Sequence, residues 1–349
     1  MKAAVYYGPG DMRVEERAVP KAGQGEVLLK VEACAICGTD MRILAQGQKN
    51  VVPPQVIGHE ICGVVEAVGK GAQGYDKGEK VIIVTPVGCR RCPACNAGRP
   101  NLCRSFRAIG YHFPGGFAQY MVMPEEAVAQ GNMIPVPADL PPEEACLIEP
   151  LSCAINGQDY LNIKVGDTAA IFGAGPIGMM HLELAKASGA TRTIMIDVNP
   201  TRLAKVAELF GCDLTVNSAE TDPVEAVLAA TGGRGADVVI TAAPAKVVCE
   251  QALSMCAPMG RISYFASVNK ADPYIKFDVN VPHYKELGIF GAFASYHAQY
   301  ARAAELVVSR RIDMRKFVTH EFPLERIGEA FEVARSGDGI KVVVRPWAG

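Results

Sequence analysis

Residues 169–180, AAIFGAGPIGMM, narrow the fold more than any other stretch of the chain. An apolar run leads into Gly173, Gly175 and Gly178 spaced as G-x-G-x-x-G, and the residues after it have helical period. The next apolar run, RTIMIDV, brings in Asp197, nineteen residues after Gly178. Strand, glycine turn, helix, strand and acid in this order form a dinucleotide-binding βαβ unit. Gly173 is expected to make the tight turn, Gly175 to let the backbone approach a pyrophosphate, and Gly178 to let helix meet strand. Ile177 belongs to the same turn, and the pyrophosphate would sit at the positive helix end. Asp197 can accept both adenosine ribose hydroxyls and would repel a 2′-phosphate, so NAD is expected over NADP. Arg202 is either an adenine or ribose contact or an exposed helix charge.

The same rhythm runs from residue 169 to 293. ADVVITAA, GRISYF and LGIFGAF continue the strands, and PTRLAKVAELF, DPVEAVLAAT and KVVCEQALSMC the helices. Alternation of this kind predicts a parallel sheet with helices on both faces, an α/β doubly wound Rossmann domain. Residues 1–150 read differently, as short β runs broken by Gly and Pro: KAAVYY, EVLLKVEAC, GVVEAVG, KVIIV and FAQYMVM. After 293, YHAQYARAAELVVSRRI has helical period, and IKVVVRP is a last strand. The expected organisation is a β-rich domain from 1–150 and 294–349, with the nucleotide domain at 151–293. The 349-residue length suits two cores.

Residues 88–103, GCRRCPACNAGRPNLC, hold Cys89, Cys92, Cys95 and Cys103 as C-x2-C-x2-C-x7-C. Four thiolates at this spacing can close a tetrahedron around zinc, leaving no open position, so the site would be structural. Arg90, Arg91, Arg99 and Arg104 would favour the thiolates. An iron–sulfur cluster and four unmetallated cysteines are the alternatives. The remaining cysteines other than Cys37, namely Cys34, Cys62, Cys146, Cys153, Cys212, Cys249 and Cys256, read as reduced core thiols. The start of the chain has no secretory pattern and no window is apolar enough for a membrane span, so a cytoplasmic location is expected.

A second metal site is expected to be open. AICGTDMRI holds Cys37, Thr39 and Asp40; VIGHEICG holds His59 and Glu60; CLIEPLSC holds Glu149. Thiolate, imidazole and carboxylate are a ligand set for catalytic zinc, with one position left for water or substrate. Asp40 can fix the His59 tautomer from the far nitrogen, and Thr39 can relay the proton of a bound alcohol. His112, His181, His283, His297 and His320 read as packing or surface residues.

CGTD, GHE, the four-cysteine loop, GGFAQY, IEPLS and GAGPIG, in that order, span nearly the whole chain. Together they resemble the zinc-dependent medium-chain dehydrogenase/reductase family, in its polyol (sorbitol, L-iditol) and threonine dehydrogenase branch. The resemblance implies a GroES-like catalytic domain beside the Rossmann domain. It places Cys37, His59 and Glu60 on zinc and Glu149 on the metal or its water, the two glutamates being exchangeable. It also implies two zinc ions per subunit and a homotetramer; the strand ELGIFGAF could pair across a two-fold to give a homodimer. The implied reaction passes a hydride from a secondary alcohol to NAD. Two departures bear on the substrate. Threonine dehydrogenases resemble CGTDxH, and Arg42 stands at that histidine; it would make a surface salt bridge or bind an anion. In sorbitol dehydrogenases an arginine follows the phenylalanine of IFGAF, and Ala294 stands there. The first departure counts against threonine and the second against sorbitol itself, so the expected substrate is another polyol of the sorbitol/L-iditol kind, an inositol or a polyol phosphate, with a threonine 3-dehydrogenase as second reading. Tyr111 and Phe113 are expected to line the pocket or to pack their loop.

Two non-enzymatic classes fit the sequence less well. A crystallin-like or sensor NAD-binding relative would typically lack the zinc ligands, and this chain has the full set. A zinc-ribbon nucleic-acid binder is disfavoured by a net charge of −2, which offers no electrostatic footprint for nucleic acid or an anionic membrane.

Overall fold

The computed structural model describes residues 1–348. It divides into two compact units, Met1–Ser152 with Ala294–Gly349, and Cys153–Phe293.

The second unit is built on a six-stranded parallel sheet. From edge to edge its strands are Leu214–Asn217, Arg192–Asp197, Thr168–Phe172, Ala236–Thr241, Cys256–Tyr264 and Gly288–Gly291. Chain order therefore reverses beside Thr168–Phe172, the strand that carries the glycine turn. Its residues are apolar without alternation because a parallel sheet is covered on both faces; Ala169, Ala170, Ile171, Ile194, Ile196, Val239 and Ile240 are all fully buried. Local chemistry starts the helices. Pro176, Pro200 and Pro223 each open one, where the missing N–H costs nothing. Asn199 and Asp222 cap the second and third by accepting from the next free N–H groups. The doubly wound sheet expected from the 2-to-3.6 alternation of periods is present.

The first unit contains a three-stranded antiparallel sheet, Lys2–Gly8 with Asp11–Glu16 and Gln55–Val56. A seven-stranded sheet runs Met133–Pro135, Lys80–Ile83, Glu60–Val68, Val27–Ala35, Lys341–Arg345, Val318–Pro323, with Tyr120–Met123 also on Val27–Ala35. The C-terminal strand pairs antiparallel with Val27–Ala35 through Val343 and Val344, so the return segment completes this sheet. Tyr6, Leu29, Ile43, Ile57, Ile61, Phe117, Leu324 and Phe331 lie in one core. Among the elements not anticipated from the sequence, Asp11–Glu16 is a half-exposed strand rich in charge, Val318–Pro323 is a half-exposed strand with one acid, Glu321, and Ile327–Ser336 is an amphipathic helix on a short stripe of Ile327, Ala330 and Phe331.

Among the described residues no helix is long and apolar enough to cross a membrane. Five of the expected core thiols are buried, while Cys153 and Cys212 are only partly so. His181 is fully buried, and desolvation pulls its pKa down to about 3. Its Nδ1 and backbone oxygen both face the Gln158 amide, so it packs as a neutral side chain.

Candidate metal centres and nucleotide motif

The three candidate ligands come from two elements. Cys37 precedes the helix Gly38–Gln46, and His59 and Glu60 sit at the start of the strand Glu60–Val68. Their ligand atoms all lie within 4.8 Å of one another. Asp40, fully buried on the first turn of the helix, links them. Its Oδ2 accepts the Cys37 N–H at 3.0 Å, and its Oδ1 stands 3.3 Å from His59 Nδ1. With Nδ1 turned to the carboxylate, Nε2 is the nitrogen left for a metal. Thr39 is half-buried on the same turn. Donor types and spacing fit a zinc ion with one position open.

Glu149 is not in the triad. It is buried on the first turn of Ile148–Gln158, where the Tyr300 hydroxyl lies 3.4 Å from its Oε1. The same hydroxyl lies 3.0 Å from Thr85 Oγ1 and accepts the Thr85 N–H at 3.1 Å. Burial pushes the Glu149 carboxyl up to about 7; Glu60 adds to the rise, while His59, Lys341 and the Tyr300 bond oppose it. Glu149 is thus a second carboxylate beside the triad rather than a member of it.

Glu60 has a partner that sequence reasoning missed. Lys341, on the C-terminal strand, forms a buried ion pair with its Oε2 and donates to the Ile36 carbonyl at 2.9 Å. Lys341 is 4 % exposed and Glu60 1 %. Burial works against the lysine cation, yet Glu60 and the Cys37 thiol outweigh it and its pKa rises. The available signal was a lysine inside the run IKVVV, since a buried lysine needs a counter-charge. Nothing in the sequence pointed to Tyr300 or Thr85. Arg42 is exposed and makes no ion pair among the described residues; its guanidinium donates to Gln48 Oε1 at 3.4 Å.

The second cluster gathers Cys89, Cys92, Cys95 and Cys103 with their sulfurs within 4.8 Å of one another. Cys92 and Cys103 Sγ are 3.8 Å apart, about the edge of a tetrahedron with ~2.3 Å metal–sulfur bonds. The Cys89 and Ser105 N–H groups both donate to Cys103 Sγ at 3.3 Å. Backbone N–H groups, not arginine side chains, favour the thiolates. The Cys92 thiol is pulled down to about 6 by bonds from the Cys95 and Arg104 amides, against some desolvation. Cys95 is pushed up to about 12, by desolvation first and then by the neighbouring Cys92 and Cys103 thiols. The Arg99 guanidinium instead donates to the Tyr296 hydroxyl at 2.8 Å and lies over that ring. All four donors are sulfur, which fits a closed zinc site.

In the second unit, Gly173 has φ +98°, and a Cβ on Gly178 would stand 1.7 Å from the Gly173 carbonyl oxygen. That position has no room for any side chain. Nothing lies within 4 Å of a Cβ built on Gly175, so the backbone there is open to a ligand at the start of the helix Pro176–Ala187. Ile177 is half-buried on the same turn. Asp197 is turned back onto the motif: its Oδ2 accepts the Ala174 N–H at 2.6 Å and its Oδ1 the Asn199 N–H at 2.8 Å. Arg202 donates its backbone N–H to the Asn199 cap, and its side chain is half-buried.

A glycine-turn nucleotide domain joined to a β-rich unit with a Cys–His–Glu centre and a four-cysteine loop defines a class of zinc-dependent oxidoreductases. Comparison with known proteins agrees. Residues 23–136 match the alcohol dehydrogenase GroES-like domain, and residues 176–309 the zinc-binding dehydrogenase domain. Among curated relatives, L-threonine 3-dehydrogenase of Bacillus subtilis is 34% identical over 336 residues, 95% of this chain and 94% of that one. Sorbitol dehydrogenase of the same organism is 32% identical over 354 residues, 99% of this chain and 97% of that one. Among solved structures, a Sinorhizobium meliloti protein described as a zinc-binding dehydrogenase and bound to NADP superposes with a TM-score of 0.91 at 32% identity, covering 99% of each chain. The chain belongs to the zinc-dependent medium-chain alcohol dehydrogenase family.

Proposed function

We propose that the protein oxidises a polyhydroxylated secondary alcohol to the carbonyl compound with NAD as acceptor. The observation that carries this reading is the convergence of Cys37, His59 and Glu60, with Glu149 held beside them. When bound, zinc supplies a Lewis acid for the alcohol oxygen, and the nicotinamide supplies the hydride acceptor. The chain's own residues do the rest. Cys37, His59 and Glu60 hold the metal. Asp40 keeps His59 in the tautomer that leaves Nε2 free. Thr39 takes the alcohol proton, and Glu149 serves the metal or its water from its seat on Tyr300. Cys89, Cys92, Cys95 and Cys103 hold a second zinc that ties down their loop.

The substrate class rests on the two carboxylates and on resemblance to the polyol branch, to which the sorbitol dehydrogenase relative adds support. The threonine relative supports the second reading, which Arg42 disfavours because an arginine cannot release a proton near neutral pH. Reduction of NAD screened across polyols, polyol phosphates, inositols and threonine decides between them. Turnover confined to threonine overturns the polyol reading, and no turnover with any alcohol overturns the enzyme.

NAD is favoured over NADP by the Asp197 charge at the end of its strand. Asp197→Asn keeps an acceptor for the backbone but removes the charge. The NAD:NADP ratio of kcat/KM is expected to fall about tenfold, roughly 1.4 kcal/mol; an unchanged ratio removes Asp197 from cofactor choice. The edge strand Gly288–Gly291, near the exposed Phe293, supports pairing with a second copy, a dimer or a tetramer built from dimers. Light scattering on the intact protein reads the copy number, and a monomer refutes it.

A further inference from the structure

Tyr111 stands on the metal-facing side of His59. Its hydroxyl lies 3.4 Å from His59 Nε2, and the two rings are 5.0 Å apart at 39°. That nitrogen is the one left for the metal, because Nδ1 faces Asp40. Among the described residues the hydroxyl has no other hydrogen-bond partner.

The loop that carries Tyr111 is held firmly. The Ala108 carbonyl accepts from the N–H groups of Tyr111, His112 and Phe113, and the His112 ring takes the Ala108 N–H at 3.2 Å. Gln55 Nε2 donates to the Tyr111 carbonyl at 3.2 Å. Gly110, at φ +80°, packs so closely on the residue before His59 that a Cβ there would stand 2.6 Å from the Gly58 oxygen. These contacts fix the backbone that carries Tyr111, and its ring rests against His59.

Once Nε2 gives its lone pair to a metal, it no longer accepts a hydrogen bond. A half-buried O–H then needs another acceptor. In the proposed mechanism the Thr39 hydroxyl serves the reacting oxygen, which leaves Tyr111 a neighbouring oxygen on the substrate. We propose that Tyr111 is a specificity-determining residue that donates to the hydroxyl on the carbon next to the reacting carbinol, so that the site prefers vicinal diols over simple secondary alcohols. This rests on the alcohol-oxidising reading of the Cys37–His59–Glu60 centre.

The test compares 2,3-butanediol with 2-butanol, which differ by one hydroxyl, in the wild type and in Tyr111→Phe, which keeps the ring against His59. Each is titrated against protein carrying cobalt(II) in place of zinc, reading the visible absorption of the metal, and each is assayed for NAD reduction. Tyr111→Phe is expected to weaken diol binding and to lower its kcat/KM about tenfold, the scale of one lost hydrogen bond, while 2-butanol is unmoved. Equal loss on both alcohols, or loss on neither, overturns the proposal. A cobalt spectrum that responds to neither alcohol in the wild type, with no NAD reduction, overturns the functional reading beneath it. A wild-type response to both alcohols with equal effects of the substitution leaves that reading standing and removes Tyr111 alone.

Discussion

Lys341→Met is expected to cost the unit containing the metal centre about 3–5 kcal/mol of stability, the usual consequence of removing one partner of a buried ion pair. The reason is the position of Glu60. Its strand, Val27–Ala35 and the C-terminal strand are successive neighbours in the seven-stranded sheet, and the lysine side chain reaches Glu60 from the far one. Glu60 is 1 % exposed, so without Lys341 the carboxylate oxygen that faces the lysine, Oε2, has neither water nor a cation beside it. The Ile36 carbonyl loses its donor as well. Thermal unfolding should show the transition of this unit falling by roughly 10 °C, at about 2–4 °C per kcal/mol for its size. Compared as metal-free proteins, since Glu60 is also a proposed metal ligand, Lys341→Met combined with Glu60→Gln should recover most of the loss, because an uncharged pair no longer carries the desolvation penalty. A single variant as stable as the wild type, or a double variant no better than the single, would remove the ion pair from the account of the fold.

The second large effect concerns the two metals, which should respond to substitution in opposite ways. Cys37→Ala is expected to lower turnover by at least about a thousandfold, since a catalytic metal supplies several kcal/mol of transition-state stabilisation. Folding should be preserved, because Cys37 is only partly buried and its helix is still anchored by Asp40 on the Cys37 backbone N–H. Zinc content should fall from two ions per chain to one. Cys89→Ala should lose one zinc as well, but its main effect should be on stability. The segment from Cys89 to Cys103 has a four-residue helix and a three-residue 3₁₀ turn as its regular structure, so a bound metal is the device that fixes it. Metal analysis, calorimetry and turnover on the two variants read this contrast. Undiminished turnover in Cys37→Ala ends the mechanism proposed above; a wild type holding a single zinc shows that one of the two clusters is not a metal site.

The nucleotide unit was the most legible part of the chain. Its strands are short apolar runs, three of its helices open on a proline, and Gly178 falls where the turn leaves no room for a Cβ. Each is a local property that composition over a few residues reveals. The β-rich unit was less legible. Asp11–Glu16 is a half-exposed strand whose charged residues hide the alternation, Val318–Pro323 sets only Val318, Phe322 and a proline among polar residues, and the Ile327–Ser336 helix rests on too few buried residues to announce itself.

The sequence by itself determined the family, the parallel nucleotide fold and the residue types able to hold zinc, because these depend on spacing along the chain. Only the tertiary structure decided how those residues are supported. Lys341 reaches Glu60 from the other end of the chain, Tyr300 restrains Glu149 from a distant helix, backbone amides rather than arginines draw down the Cys92 thiol, and Tyr111 comes to lie against His59. Apart from the Cys92 bonds, which come from the nearby Cys95 and Arg104 amides, each of these is a contact between segments far apart in sequence. No local pattern encodes such a contact, since it exists only when sheet pairing and core packing have brought the segments together.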